Sequence, residues 1–205
     1  MKGSLLILGA CFFGSLGVLL VPHEGLCQSE LSYDDGTAEV GIGWEEANNG
    51  VAVRFSVEEP VELVEIRFFI AIAEPGAPLR ALVLDANGPA GAPGDTLFGP
   101  VEFGWNGSLL SFTGYSLAPP VELSGPDFYV AYIQAVPGVP PHSPTLGLDG
   151  SNPFHGRTWE LFHGDWFPIE QDEPYGNAMI RAVVIDQTPT ESVSWGRLKR
   201  VQRVP

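Results

Sequence analysis

The chain has 205 residues, enough for one domain with a sizeable core once a leader is removed. Its formal net charge is −15, from 10 Lys and Arg against 25 Asp and Glu, and such a surface repels nucleic acid and anionic lipid. Both cysteines, Cys11 and Cys27, lie near the N terminus, so the body beyond them must hold together without a disulfide.

Residues 1–27 read as a secretory signal peptide. Lys2 supplies the positive start, an apolar run extends from Leu5 to Val21, and Gly25-Leu26-Cys27 forms a small-residue site before Gln28. A retained anchor needs about 20 apolar residues, and Gly9, Gly14, Ser15 and Gly17 dilute the run. The expected protein is therefore secreted or cell-envelope associated, with no membrane span after cleavage.

Residues 28–186 are expected to form one domain. Within it the only cations are Arg54, Arg67, Arg80, Arg157 and Arg181, against 23 acidic residues. Apolar alternation predicts strands over 51–57 and 64–72, where Val64, Ile66, Phe68, Ile70 and Ile72 share one face. Residues 79–84 predict a third strand, with Leu82, Val83 and Leu84 pointing to burial on both sides. The aromatic and β-branched segments 128–136 and 178–185 predict two more. Weaker strands fit 37–44, 96–103, 115–123, 145–148 and 157–162. Asp35-Gly36, Asn49-Gly50, Asn87-Gly88, Asn106-Gly107 and Asp149-Gly150 supply turns between them. No window keeps a helical period. About ten short strands in one domain imply an all-β, antiparallel, jelly-roll-like β-sandwich, with an up-and-down barrel as the alternative.

Three groups of residues are candidate sites. Asp34-Asp35-Gly36-Thr37 has the oxygens to hold a structural calcium ion, or else forms a turn in which Gly36 takes a positive φ and Asp34 accepts a backbone hydrogen bond. Asp85 and Asp95 bracket a Gly/Pro-rich loop with the same two readings. Trp159, Trp166 and Phe167 offer flat faces to sugar rings, with Glu160 and Asp165 to bond hydroxyls, or they pack the sheet. Along the strand, Trp159 and Leu161 are expected on one face, Thr158 and Glu160 on the other. His142, His155 and His163 have no spacing that would bring them together on zinc. No Gly-x-Ser-x-Gly elbow is present.

The segments Tyr33-Asp34-Asp35-Gly36-Thr37-Ala38-Glu39, Asp85-Ala86-Asn87-Gly88 and Phe128-Tyr129-Val130-Ala131-Tyr132 come in this order. Leu146-Gly147-Leu148-Asp149, Gly156-Arg157-Thr158-Trp159-Glu160 and Gly176-Asn177-Ala178-Met179-Ile180-Arg181-Ala182 follow. This ordered set resembles a β-sandwich module of secreted bacterial proteins, over about residues 31 to 185. The resemblance implies an extracellular accessory module, often attached to larger proteins, without assigned catalytic residues.

The tail, residues 187–205, carries Trp195, Arg197, Lys199, Arg200 and Arg203, opposite in sign to the body. The expectation for the whole is a non-catalytic binding or adhesion module for a glycan or an extracellular protein. A structural envelope protein without a small ligand is the alternative, and a hydrolase is less favoured.

Overall fold

The protein's structure is a computed structural model that describes residues 28–105, 107–138, 140–151, 153–170 and 176–186. The leader, the basic tail and part of the Asn106-Gly107 turn lie outside these residues. Among the described residues thirteen strands and one short 3-10 turn, Pro89–Gly91, account for the regular structure.

The strands are β1 (Gln28–Leu31), β2 (Val40–Ile42), β3 (Gly50–Ser56), β4 (Val61–Ile72), β5 (Pro78–Asp85), β6 (Thr96–Gly104) and β7 (Ser111–Leu123). They continue with β8 (Asp127–Gln134), β9 (Thr145–Asp149), β10 (Thr158–Phe162), β11 (Asp165–Pro168), β12 (Asn177–Ala178) and β13 (Ile180–Asp186). All ten expected strands are present. The weak segment 37–44 shrinks to β2 because residues 34–37 are held in a turn. β1, β11 and β12 have too few residues to show an alternation.

One sheet runs β1-β13-β4-β9-β12, with β7 also paired to β4 and β2 to β9. The other runs β11-β10-β3-β8-β5-β6. Both are antiparallel and open, so the fold is a β-sandwich and the barrel alternative is excluded. The main core lies between the sheets, where Phe55, Phe68, Phe128, Tyr132, Leu63, Ile66 and Ile70 are fully buried. Phe55 stacks on Phe128 at 5.5 Å and on Tyr33 at 5.6 Å. Each such side chain contributes about 1.5–3 kcal/mol through burial.

The six-stranded sheet is apolar on its outer face as well. Ala52, Leu84, Tyr129, Ala131 and Ile133 are buried there beneath Leu82, Ala86, Trp159, Leu161 and Trp166. This confirms the two-sided burial expected of residues 79–84. The small residues let their neighbours close over the strand, and at Gly50 a Cβ would collide with the Tyr132 carbonyl and the Ile133 side chain.

Tyr129 and Tyr132 point from β8 to opposite faces and donate to the carbonyls of Gly91 and Pro144 respectively. Burial raises the Tyr129 phenol from 10.0 to about 12 and pushes Tyr132 up further. The fold therefore favours the neutral phenols. Their contribution is whole below pH 10 and is lost as pH rises through about 12. Alkaline titration is expected to show cooperative unfolding in that window, with phenolate absorbance of these two tyrosines appearing only as the fold is lost. If the part of the phenolate absorbance that Tyr129→Phe or Tyr132→Phe removes preceded the loss of β-sheet circular dichroism, this would be contradicted.

Candidate functional site

The Tyr-Asp-Asp-Gly segment is a structural junction. The Asp34 side chain is fully buried and accepts two bonds of 3.2 Å from Arg181 Nε and one of 2.6 Å from its Nη2. Asp34 Oδ1 also accepts the Gly36 N–H at 3.0 Å, and Gly36 takes φ +92°. The Arg181 guanidinium rests on the Phe112 ring and donates to Glu30 at 2.8 Å. Asp34, foremost among these partners, stabilises the charged guanidinium and raises its pKa.

Asp35 faces the other way. Its Oδ1 accepts from the Thr37 hydroxyl at 2.7 Å and the Thr37 N–H at 2.8 Å, which holds its carboxyl below the usual carboxylate range. Its own N–H donates to buried Asp149 at 2.8 Å. Arg157 lies over the Tyr33 ring. Four of the motif segments thus meet here, and both acids act in the turn geometry given as the second reading.

Asp85 and Asp95 close the β5–β6 loop. Asn87 donates to Asp95 at 2.9 Å and accepts its N–H at 2.9 Å, while Asp85 accepts the Ala86 N–H at 2.7 Å. Asp34, Asp35, Asp85 and Asp95 do not converge. Among the described residues no three His, Cys, Asp or Glu side chains gather in an arrangement suited to a metal ion.

The third candidate group is split by strand register. β10 and β11 pair Trp159 with Pro168, Glu160 with Phe167, Leu161 with Trp166 and Phe162 with Asp165. Cross-strand partners share a face, so Trp159 and Trp166 lie on the outer face, where Trp159 meets Tyr129 edge-on at 6.2 Å. Glu160, Phe162, Asp165 and Phe167 lie on the inner face. Thr158 and Glu160 do oppose Trp159 and Leu161, as the alternation predicts, but the three-ring platform does not form.

The inner face of this edge hairpin is only partly covered, leaving Phe162 43% and Phe167 50% exposed. Between its tip and the β2–β3 loop is a cleft of about 330 Å³ lined by Gly43, Trp44, Glu45, Glu46, Asn49, Phe162 and His163. Its floor is fixed from below by fully buried Gln134. The Gln134 amide accepts the Trp44 N–H at 2.8 Å and donates to the carbonyls of Trp44 and Val136. The Trp44 indole N–H donates to Glu160 at 2.8 Å, so Glu160 orients this ring from behind.

His163-Gly164 forms the tip of the β10–β11 hairpin, with φ +52° and +93°. His163 N–H donates to buried Asn49 at 3.1 Å, tying the tip to the β2–β3 loop. The Phe162 and His163 rings meet edge-on at 4.1 Å. An exposed aromatic face, a buried indole and two exposed carboxylates around one hollow suit a small ligand with both an apolar side and polar groups. Trp44, Glu45, Glu46 and Asn49 escaped the sequence reading. The signal available was Trp44 followed directly by two acids in a Gly/Asn-rich loop.

No protein-family model matches the chain. In three dimensions it is similar to the crystal structure of the cysteine protease and lectin-like domains of Cwp84, a surface layer associated protein of Clostridium difficile. The TM-score is 0.41 at 18% identity, over 67% of this chain and 32% of that one. In sequence it is similar to Bacillopeptidase F of Bacillus subtilis (strain 168), 35% identical over 165 residues. The match takes in 76% of this chain but only 11% of the length of that relative.

Proposed function

We propose that this protein is a secreted or envelope-associated, non-catalytic binding domain that holds a saccharide in the cleft between the β2–β3 loop and the β10–β11 hairpin. The carrying observation is Phe162, a large ring left exposed at the mouth of a hollow that also presents Glu45, Glu46 and His163. A sugar ring has an apolar face to stack on the phenyl and hydroxyls to bond the carboxylates. The hollow is at the small end of ligand pockets, which suits one or two sugar units. The leader-like sequence of residues 1–27 supports export. The similarity to a stretch amounting to 11% of Bacillopeptidase F supports an accessory role. Such a stretch leaves most of that protein for the peptidase activity in its name.

Glu160 is committed to Trp44, which argues against its use as a catalytic acid. Assembly of a structural envelope protein through sheet edges is disfavoured. Three outer strands carry proline, at Pro100 in β6, Pro119 and Pro120 in β7, and Pro168 in β11, and proline blunts edge pairing.

A panel of purified oligosaccharides titrated calorimetrically into the mature protein tests the reading. Phe162→Ala is expected to weaken binding by about 10-fold or more. It should move stability by no more than about 0.5 kcal/mol, as an exposed side chain does. Absence of binding to every oligosaccharide, or unchanged affinity in Phe162→Ala, would overturn it.

A further inference from the structure

The cleft also has a definite charge, and the next step rests on its being a saccharide site. Glu45 and Glu46 are consecutive, exposed, and both line it. The Glu160 carboxylate stands behind the Trp44 indole, a third negative group. The lining contains no arginine or lysine. Four of the body's arginines are engaged elsewhere, Arg54 with Asp127, Arg67 with Glu65 and Glu30, Arg181 with Asp34 and Arg157 with Ser56, while Arg80 pairs with Glu102 and bonds Asn48 of the β2–β3 loop at 2.8 Å without lining the cleft. The nearest basic partner is His163, whose Nδ1 lies 3.6 Å from Glu46 Oε2. Both of those side chains are mostly exposed, and such a pair is held too weakly to keep a ligand out.

We infer that the saccharide is an amino sugar with a free, unacylated amine, its ammonium received by Glu45 and Glu46 while its ring lies against Phe162. A cationic group near an aromatic ring and two carboxylates gains from both. An uronic, sialic or phosphorylated sugar would be repelled by the same groups and by the acidic body. A neutral sugar offers the carboxylates hydroxyl donors but no opposite charge, and so the weaker of the two kinds of hydrogen bond. The other acidic hollow, lined by Asp85, Glu122 and Asp127, lacks these features. Asp127 is already neutralised by Arg54, and the ring there, Phe128, is buried.

The test compares three β-1,4-linked oligomers of equal length, built from glucosamine, from N-acetylglucosamine and from glucose, titrated into the full mature chain at mildly acidic pH. The glucosamine oligomer is expected to bind about 10-fold more tightly than the other two. Glu45→Gln with Glu46→Gln should erase that preference at unchanged melting temperature, while Phe162→Ala lowers affinity for all three. Equal binding of the three oligomers would overturn the amine inference and leave the saccharide reading intact. Binding of none of them, with no other saccharide bound, overturns both. A preference for glucosamine that survives the double substitution would assign it to diffuse attraction by the acidic body and overturn the site. A lysine oligomer of equal charge binding as tightly, with the same dependence on Glu45 and Glu46, would replace the sugar with a cationic peptide.

Discussion

Replacing Asp34 with alanine is expected to cost about 3 kcal/mol, because it strands the partly buried Arg181 guanidinium without its principal carboxylate. The Asp34 side chain is fully buried and takes the Nε–H, shared between its two oxygens, and one Nη2–H, whereas Glu30 accepts one. The remaining contact with Phe112 cannot neutralise a charge. In a domain of this size such a loss lowers the melting temperature by roughly 10 °C. The neighbouring Asp35→Ala is the internal control. Its carboxylate is exposed and bonds chiefly within its own turn, so its loss should be clearly smaller. Equal destabilisation by the two substitutions would refute the assignment of Asp34 as the anchor. The comparison separates two adjacent aspartates that a calcium site would have treated alike.

Gln134→Leu is expected to be comparably damaging and to damage function with it. The substitution keeps the volume but leaves the buried Trp44 N–H without an acceptor and takes a donor from the Trp44 and Val136 carbonyls. Each stranded buried group costs about 1–3 kcal/mol, so a total of about 3 kcal/mol is reasonable. Among the described residues the other ties of Trp44 are the indole bond to Glu160 and ring packing against Tyr132, and neither satisfies its backbone groups. Hydrogen exchange should therefore accelerate first at residues 43–46, and saccharide affinity should fall by more than Phe162→Ala alone produces. Destabilisation without faster exchange in that loop would show that Gln134 does not fix the cleft floor.

Much of the fold is legible in the amino-acid sequence. Alternation in β3, β4 and β5 reflects burial against an opposing sheet, and that pattern is local. The Asp35-Gly36 turn is legible for the same reason, since a positive φ and a carboxylate two residues away are properties of the chain itself. The partners of the motif acids are not. Arg181 lies 147 positions from Asp34, and nothing local to either residue names the other. The sugar-binding expectation for Trp159, Trp166 and Phe167 fails as a group because face assignment depends on the pairing of β11 with β10. With Glu160 opposite Phe167 and Leu161 opposite Trp166, one ring is placed away from the other two.

Composition and periodicity by themselves determined an acidic, antiparallel sandwich whose residues 28–186 contain no cysteine, because burial of alternating side chains needs no information from distant residues. Only the tertiary structure decided which residues form the cleft. Trp44, Gln134 and Phe162 belong to separate stretches of chain, and sheet pairing brings β3 between β8 and β10. The hollow exists because the inner face of the β10–β11 hairpin is left partly uncovered at Phe162 and Phe167 and meets the β2–β3 loop there, an outcome of strand pairing and not of any one strand's sequence.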